Sequence, residues 1–142
     1  MATDSDDLDR FVTAQDRVID RVRDELRRGR KTSHWMWFVF PQIAGLGSSA
    51  MSQRFAIRSL DVARAYLAHP VLGARLVECV GLLLDVEGKS AHDILGSPDD
   101  MKFHSCLTLF AEVAADDIFR RALEKYFAGR DDAATLDLLD RN

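Results

Sequence analysis

Leu8, Phe11, Val12, Gln15, Val18, Ile19, Val22 and Leu26 recur at steps of three and four residues, with charged side chains on most positions between them. A helix turns once in roughly 3.6 residues, so this spacing gathers the set into one stripe and leaves the charges on the remaining surface. Asp6 or Asp7 can accept from the first amides, Arg27 and Arg28 meet the carbonyl end, and Gly29 suits a left-handed terminus. The expectation is a long N-terminal amphipathic helix. Such a helix is stable only when its stripe is buried against other elements.

The rest of the chain reads the same way. Ser33 to Phe40 reads as a short buried helix capped by Ser33 or as an irregular segment, because the run is apolar on all sides and Pro41 disfavours helical geometry at Phe40. Gly45 to Ser49 is a loop, and Ser59 can cap a helix over Leu60 to Ala68 that His69-Pro70 breaks. Pro70 then opens a helix with Leu72, Leu76, Val80, Leu83 and Leu84 on one face, ending near Gly88. Ser90 caps a turn or two ending at Gly96. Ser97-Pro98-Asp99-Asp100 combines a hydroxyl cap, a proline and early carboxylates at the start of a helix reaching about Ala114. Asp116 caps a helix closed by Gly129, and Thr135 to Leu139 forms a last short one.

Runs of alternating β-branched residues are scarce, so the expected fold class is all-α: a compact multihelical single domain over residues 1–142, with about six to eight helices. Residues 1–6 are expected to be a flexible N-terminal tail. A chain of 142 residues can hold a substantial core.

Several functional classes are disfavoured. The net charge of −4 speaks against a dedicated duplex nucleic-acid binder, which needs a concentrated positive surface. The longest apolar run, Trp35 to Phe40, is far short of the roughly 20 residues of a membrane span. The start of the chain lacks the basic and apolar regions of a secretory signal. Cys79 and Cys106 form neither a disulfide framework nor a metal-spaced pair, and His34, His69, His92 and His104 lack metal-ligand spacing. A cytoplasmic protein with no membrane partner, no metal and no cofactor is expected. Oligomeric state is not legible.

One segment departs from plain helix packing. Trp35, Trp37, Phe38 and Phe40 lie beside the basic stretch Arg27-Arg28-Gly29-Arg30-Lys31 and before the loop Gly45-Leu46-Gly47-Ser48. Flat rings can stack a ligand ring, cations can pair with an anion, and amides around glycines can nest one. The candidate ligand-binding residues are therefore His34, Trp35, Trp37, Gln42, Gly45, Gly47 and Ser48, joined by Asp100, Lys102 and Ser105 if the later helix borders the same pocket. Each has a plainer alternative. Tryptophans mostly fill cores, and the two-residue spacing of Trp35 and Trp37 sends them to different sides of a helix, so one of the pair belongs to the interior. Gly45 and Gly47 lack the lysine of a P-loop and can simply shape a turn, while Asp100 can serve the helix dipole. His104 and Cys106, two apart on a helix, diverge too far for one to activate the other, and Cys106 reads as a small core residue. No catalytic residue is assigned.

The stretch Ser33-His34-Trp35-Met36-Trp37-Phe38-Val39-Phe40-Pro41-Gln42-Ile43-Ala44-Gly45-Leu46-Gly47, with Phe55-Ala56-Ile57, Ala65 to Leu76, Asp99 to Ser105 and Thr108-Leu109-Phe110, resembles the bacterial family catalogued as domain of unknown function 1810. The likeness covers nearly the whole chain. It implies a compact, mainly helical single domain without an established activity; the label calpastatin attached to some members has no visible basis in these residues. A more distant likeness, carried by His69-Pro70-Val71-Leu72 and by Asp93-Ile94-Leu95-Gly96 followed by Asp99, is to the NADAR proteins of ADP-ribose and N-glycosidic chemistry. No acidic catalytic pattern of theirs carries over to positions here.

The resulting expectation is a domain that binds a small anionic or nucleotide-like ligand near Ser33 to Ser48. Two alternatives stand beside it: an enzyme of N-glycosidic or ADP-ribose metabolism using His34 or a nearby carboxylate as acid or base, and a protein-interaction module using an exposed aromatic patch.

Overall fold

In a computed structural model, which describes the backbone of residues 3–140 and the side chains of residues 8–140, the N-terminal stripe folds as two helices. They are α1 (Thr3–Asp16) and α2 (Ile19–Arg28). The single long helix expected here is therefore corrected. Val18 leaves helical geometry (φ −131°, ψ −5°), and its amide closes a tight turn on the Gln15 carbonyl at 2.9 Å. Gln15, the polar member of the stripe, is buried and donates to the Phe38 carbonyl at 2.6 Å and the Tyr66 hydroxyl at 3.0 Å. The break lets one apolar stripe serve two partners. The expected tail over residues 1–6, and a cap from Asp6 or Asp7, fall on positions outside the described residues, wholly for 1–2 and in their side chains for 3–7.

Eight further helices follow: α3 (Met36–Val39), α4 (Ala50–Arg54), α5 (Leu60–Ala68), α6 (Leu72–Leu84), α7 (Ala91–Leu95), α8 (Asp99–Ala111), α9 (Ile118–Phe127) and α10 (Ala133–Asp140). The described residues thus hold ten helices rather than six to eight. The excess comes from the broken first helix and from α4, which follows the expected loop directly, its cap Ser49 accepting from the Ser52 amide at 3.1 Å, over residues for which no element was expected. Among the described residues the one β-bridge is parallel, between Ile43 and Ile57. None of the helices is long and apolar enough to cross a membrane.

α1 packs on α3 and α5, and α2 on α6; α8 is the hub, meeting α5, α7, α9 and α10. It buries Phe103 and every residue from Ser105 to Phe110, which is why no single stripe marks it in the sequence. Aromatic rings run through the core from Phe11 to Tyr66 (5.2 Å between centroids), Phe110 (5.3 Å) and Phe119 (5.9 Å). Such contacts add about 0.5–1.5 kcal/mol each beyond the area they bury.

Local signals at helix ends fared unevenly. Ser59 caps α5, Ser90 and Asp93 close a reciprocal box on α7, and Asp116 accepts from the Ile118 amide at 2.9 Å. Ser33 and Ser97 do not cap as expected: Ser33 faces Glu25 instead, and α8 starts after Pro98 with no side-chain cap. α6 is started by the His69 ring, whose Nδ1 accepts from the Val71 and Leu72 amides, rather than by Pro70. α8 stops at Ala111, before the expected Ala114.

α9 ends on Ala128 in the left-handed region (φ 56°), one residue before Gly129. A Cβ there costs about 1 kcal/mol relative to glycine. Ala128→Gly should therefore raise the unfolding free energy by about 0.5–1 kcal/mol, read as a higher urea midpoint at unchanged slope. A lower midpoint would refute it.

Candidate functional site

The turn between α2 and α3 is built around a buried carboxylate. Glu25 lies three residues after Val22 and beside Leu26, on the apolar stripe itself, and is 4% exposed. It accepts from the Thr32 amide (2.9 Å), the Ser33 amide (3.1 Å), the Ser33 hydroxyl (2.6 Å) and the Trp35 indole N–H (2.9 Å). Burial alone would push its carboxyl up. The hydrogen bonds outweigh that and hold it at about 2. Next to it Lys31, its side chain 6% exposed, donates to the Ser33 carbonyl at 2.6 Å and pairs with Asp99 at 2.8 Å. The same ammonium stands 4.9 Å from the centre of the Trp35 ring.

That frame decides the fate of the two tryptophans. Trp35 is fully buried, and its polar edge is committed to Glu25. Trp37 is half-buried, with the Lys102 ammonium 5.1 Å from its ring centre. The chain then runs through Gln42, whose carbonyl accepts from the Ile57 amide at 2.8 Å, into the glycine loop. Gly45 sits at φ 104°, which favours glycine, and a Cβ on Gly47 would lie 2.5 Å from Ser52 Oγ. Gly47 holds the loop close against α4, and Gly45 lies against Leu138 of α10.

Beside this loop opens a cleft of about 430 Å³ lined by Trp37, Gln42, Gly45 and Gly47 together with Arg10, Arg54 and Arg58. Among the described residues no carboxylate or histidine lines it. Arg10 reaches over from α1, donating to the Arg54 carbonyl at 2.6 Å and the Ala56 carbonyl at 3.1 Å. The arginines were missed in the sequence. Arg54 and Arg58 flank the Phe55-Ala56-Ile57 stretch and carried a local cue, but Arg10 sits on a helix crowded with charges and carried none.

The other expected residues divide among adjoining spaces. His34, Trp35 and Lys102 border a cleft of about 280 Å³ with Lys31 and Asp99. Gln42, Gly47, Lys102 and Ser105 border another of about 280 Å³ near Met101 and Asp132. Trp37, Gln42, Gly47 and Lys102 are each shared between two of the three clefts. Ser48 and Asp100 line none of them. The Ser48 carbonyl accepts from the Gln53 amide group at 2.9 Å, and Asp100 lies 3.4 Å from the His92 ring.

Groups with reactive potential are committed to structure. Ser105 donates to Asp132 at 3.0 Å, and Asp132 also accepts from the Thr135 hydroxyl at 2.6 Å at the start of α10. His104 stacks on Phe127 with centroids 4.1 Å apart. Cys79 and Cys106 are buried thiols, Cys79 pushed up to about 12 and Cys106 well above its ordinary range by burial. Among the described residues no group of three or more His, Cys, Asp or Glu side chains could hold a metal ion. Met101 is their one exposed large hydrophobic side chain, so the tryptophan segment presents no exposed aromatic patch.

The profile of the family described as "Protein of unknown function (DUF1810)" matches residues 5–139. The crystal structure of the conserved hypothetical protein Rv1873 from Mycobacterium tuberculosis is similar over 94% of this chain and 96% of its own, at 52% identity and a TM-score of 0.93. Among curated proteins none matches.

Proposed function

The chain belongs to the DUF1810 family, whose description carries no activity, so the geometry bears the reading: we propose that the protein binds a small anionic, nucleotide-like ligand in the cleft beside the glycine loop. One observation carries this. A cleft of about 430 Å³ gathers a tryptophan ring, a glutamine and the Gly45 and Gly47 backbone with three arginines, and among the described residues no carboxylate lines it, in a chain whose net charge is −4. The volume falls in the usual range of small-molecule sites, roughly 300–1,000 Å³.

Each part has its chemistry. The Trp37 ring offers a flat apolar surface, Gln42 offers one donor and one acceptor group, and the guanidiniums pair with phosphate or carboxylate oxygens in a forked geometry. Among the described residues neither a carboxylate nor a histidine lines the walls to transfer a proton at neutral pH, which favours binding over turnover.

The test is equilibrium dialysis and tryptophan fluorescence with AMP and ADP-ribose, with adenosine and inorganic phosphate as part-ligands. We expect saturable binding of a nucleotide that weakens with added salt and becomes about tenfold weaker in Trp37→Leu and in Gln42→Ala. No saturable binding by either nucleotide, or wild-type affinity in both variants, would overturn the reading.

A further inference from the structure

A second cleft, of about 410 Å³, lies between the latter half of α1 and α4 and plays no part in the reading above. It shares Arg10, Arg54 and Phe55 with the first cleft but contains neither Trp37, Gln42 nor the glycines. Its character is different. The floor is apolar: Phe38 and Phe55, buried and 5.2 Å apart between ring centres, with half-buried Val18 and Met51 beside them. The rim carries the exposed Arg17 and Arg54, and among the described residues no carboxylate lines the space.

We propose that this cleft binds an amphiphilic carboxylate, with its apolar chain on the Phe38, Met51 and Phe55 floor and its head group at the arginine rim. The two halves of the cleft demand the two halves of the ligand. Apolar chain removed from water is stabilised by the floor, and a carboxylate is the group that guanidinium forks hold best. An uncharged chain makes no use of the exposed Arg17 and Arg54 guanidiniums, and a small inorganic anion leaves the floor uncovered. The proposal does not depend on the nucleotide reading of the neighbouring cleft, because Arg17, Met51 and Phe38 line only this one of the two.

Isothermal titration of the full chain with decanoate at low salt tests it, with decanol and acetate as controls. The expected result is one saturable decanoate site, with decanol and acetate each at least about tenfold weaker. Arg17→Glu and Met51→Asp should each weaken decanoate by at least about tenfold, whereas Trp37→Leu should leave it unchanged. Arg17 is exposed, so Arg17→Glu keeps the test valid even if Met51→Asp lowers the melting temperature. Absence of saturable decanoate binding, equal affinity for decanol, or indifference to Arg17→Glu would overturn the proposal. Loss of binding in Trp37→Leu would do the same by assigning decanoate to the first cleft.

Discussion

Glu25→Ala is expected to lower the unfolding free energy by about 3–5 kcal/mol, the range for breaking a buried charged network by removing one member. The substitution strands the Thr32 and Ser33 amides, the Ser33 hydroxyl and the Trp35 indole N–H, all of which now meet one carboxylate. Glu25→Gln keeps the shape but loses the charge and turns an amide N–H₂ toward donors, so an intermediate loss is expected. Urea unfolding followed by fluorescence measures both.

The same group sets an acid dependence whose sign follows from its shift. The folded carboxyl titrates at about 2 against an ordinary value of 4.5, so its contribution is fully present above about 4.5 and is lost as the pH falls toward 2. The gap corresponds to about 3 kcal/mol. Wild-type stability should therefore fall more steeply than that of Glu25→Gln across this window. Parallel profiles for the two proteins, or a Glu25→Gln loss under about 0.5 kcal/mol, would contradict the role assigned to Glu25.

Gly73→Ala is expected to cost about 3 kcal/mol or more. α5 and α6 meet at an angle of 88°, and Gly73 sits at the corner, where an added Cβ would lie 2.0 Å from the Leu67 carbonyl oxygen and 2.8 Å from its carbon. Backbone cannot rotate away as a side-chain tip can, so the two helices must separate. Gly81→Ala in the same helix is the control: its Cβ would meet only Ile118 Cδ1, at an ordinary 3.9 Å. That change should be neutral or stabilising by up to about 1 kcal/mol, because alanine loses less backbone entropy in a helix. Equal thermal shifts for the two variants would show that helix propensity, rather than close approach, governs position 73.

The clefts were legible only in part. Trp37, Gln42, Gly45 and Gly47 were drawn from one aromatic and glycine-rich segment and do share a cavity wall, because residues near each other in a turn-rich stretch have few ways to separate. His34 and Ser105 were grouped with them by composition and spacing, yet they border different clefts. Glu25 looked like one more charge on an amphipathic helix, although its offset of three from Val22 places it on the buried stripe. Nothing local says that a carboxylate there will find four donors.

The sequence alone determined the all-helical class, the caps at Ser59, Ser90 and Asp116, and the burial of Cys106, since propensity, capping and hydrophobic spacing act within a few residues of chain. Tertiary structure decided where the first helix breaks, which tryptophan is sealed, and that Arg10 joins Arg54 and Arg58 beside the glycine loop. Those outcomes rest on pairs such as Gln15 with Tyr66 and Arg10 with Ala56, about fifty positions apart, whose meeting depends on how whole helices pack rather than on any residue's own preference.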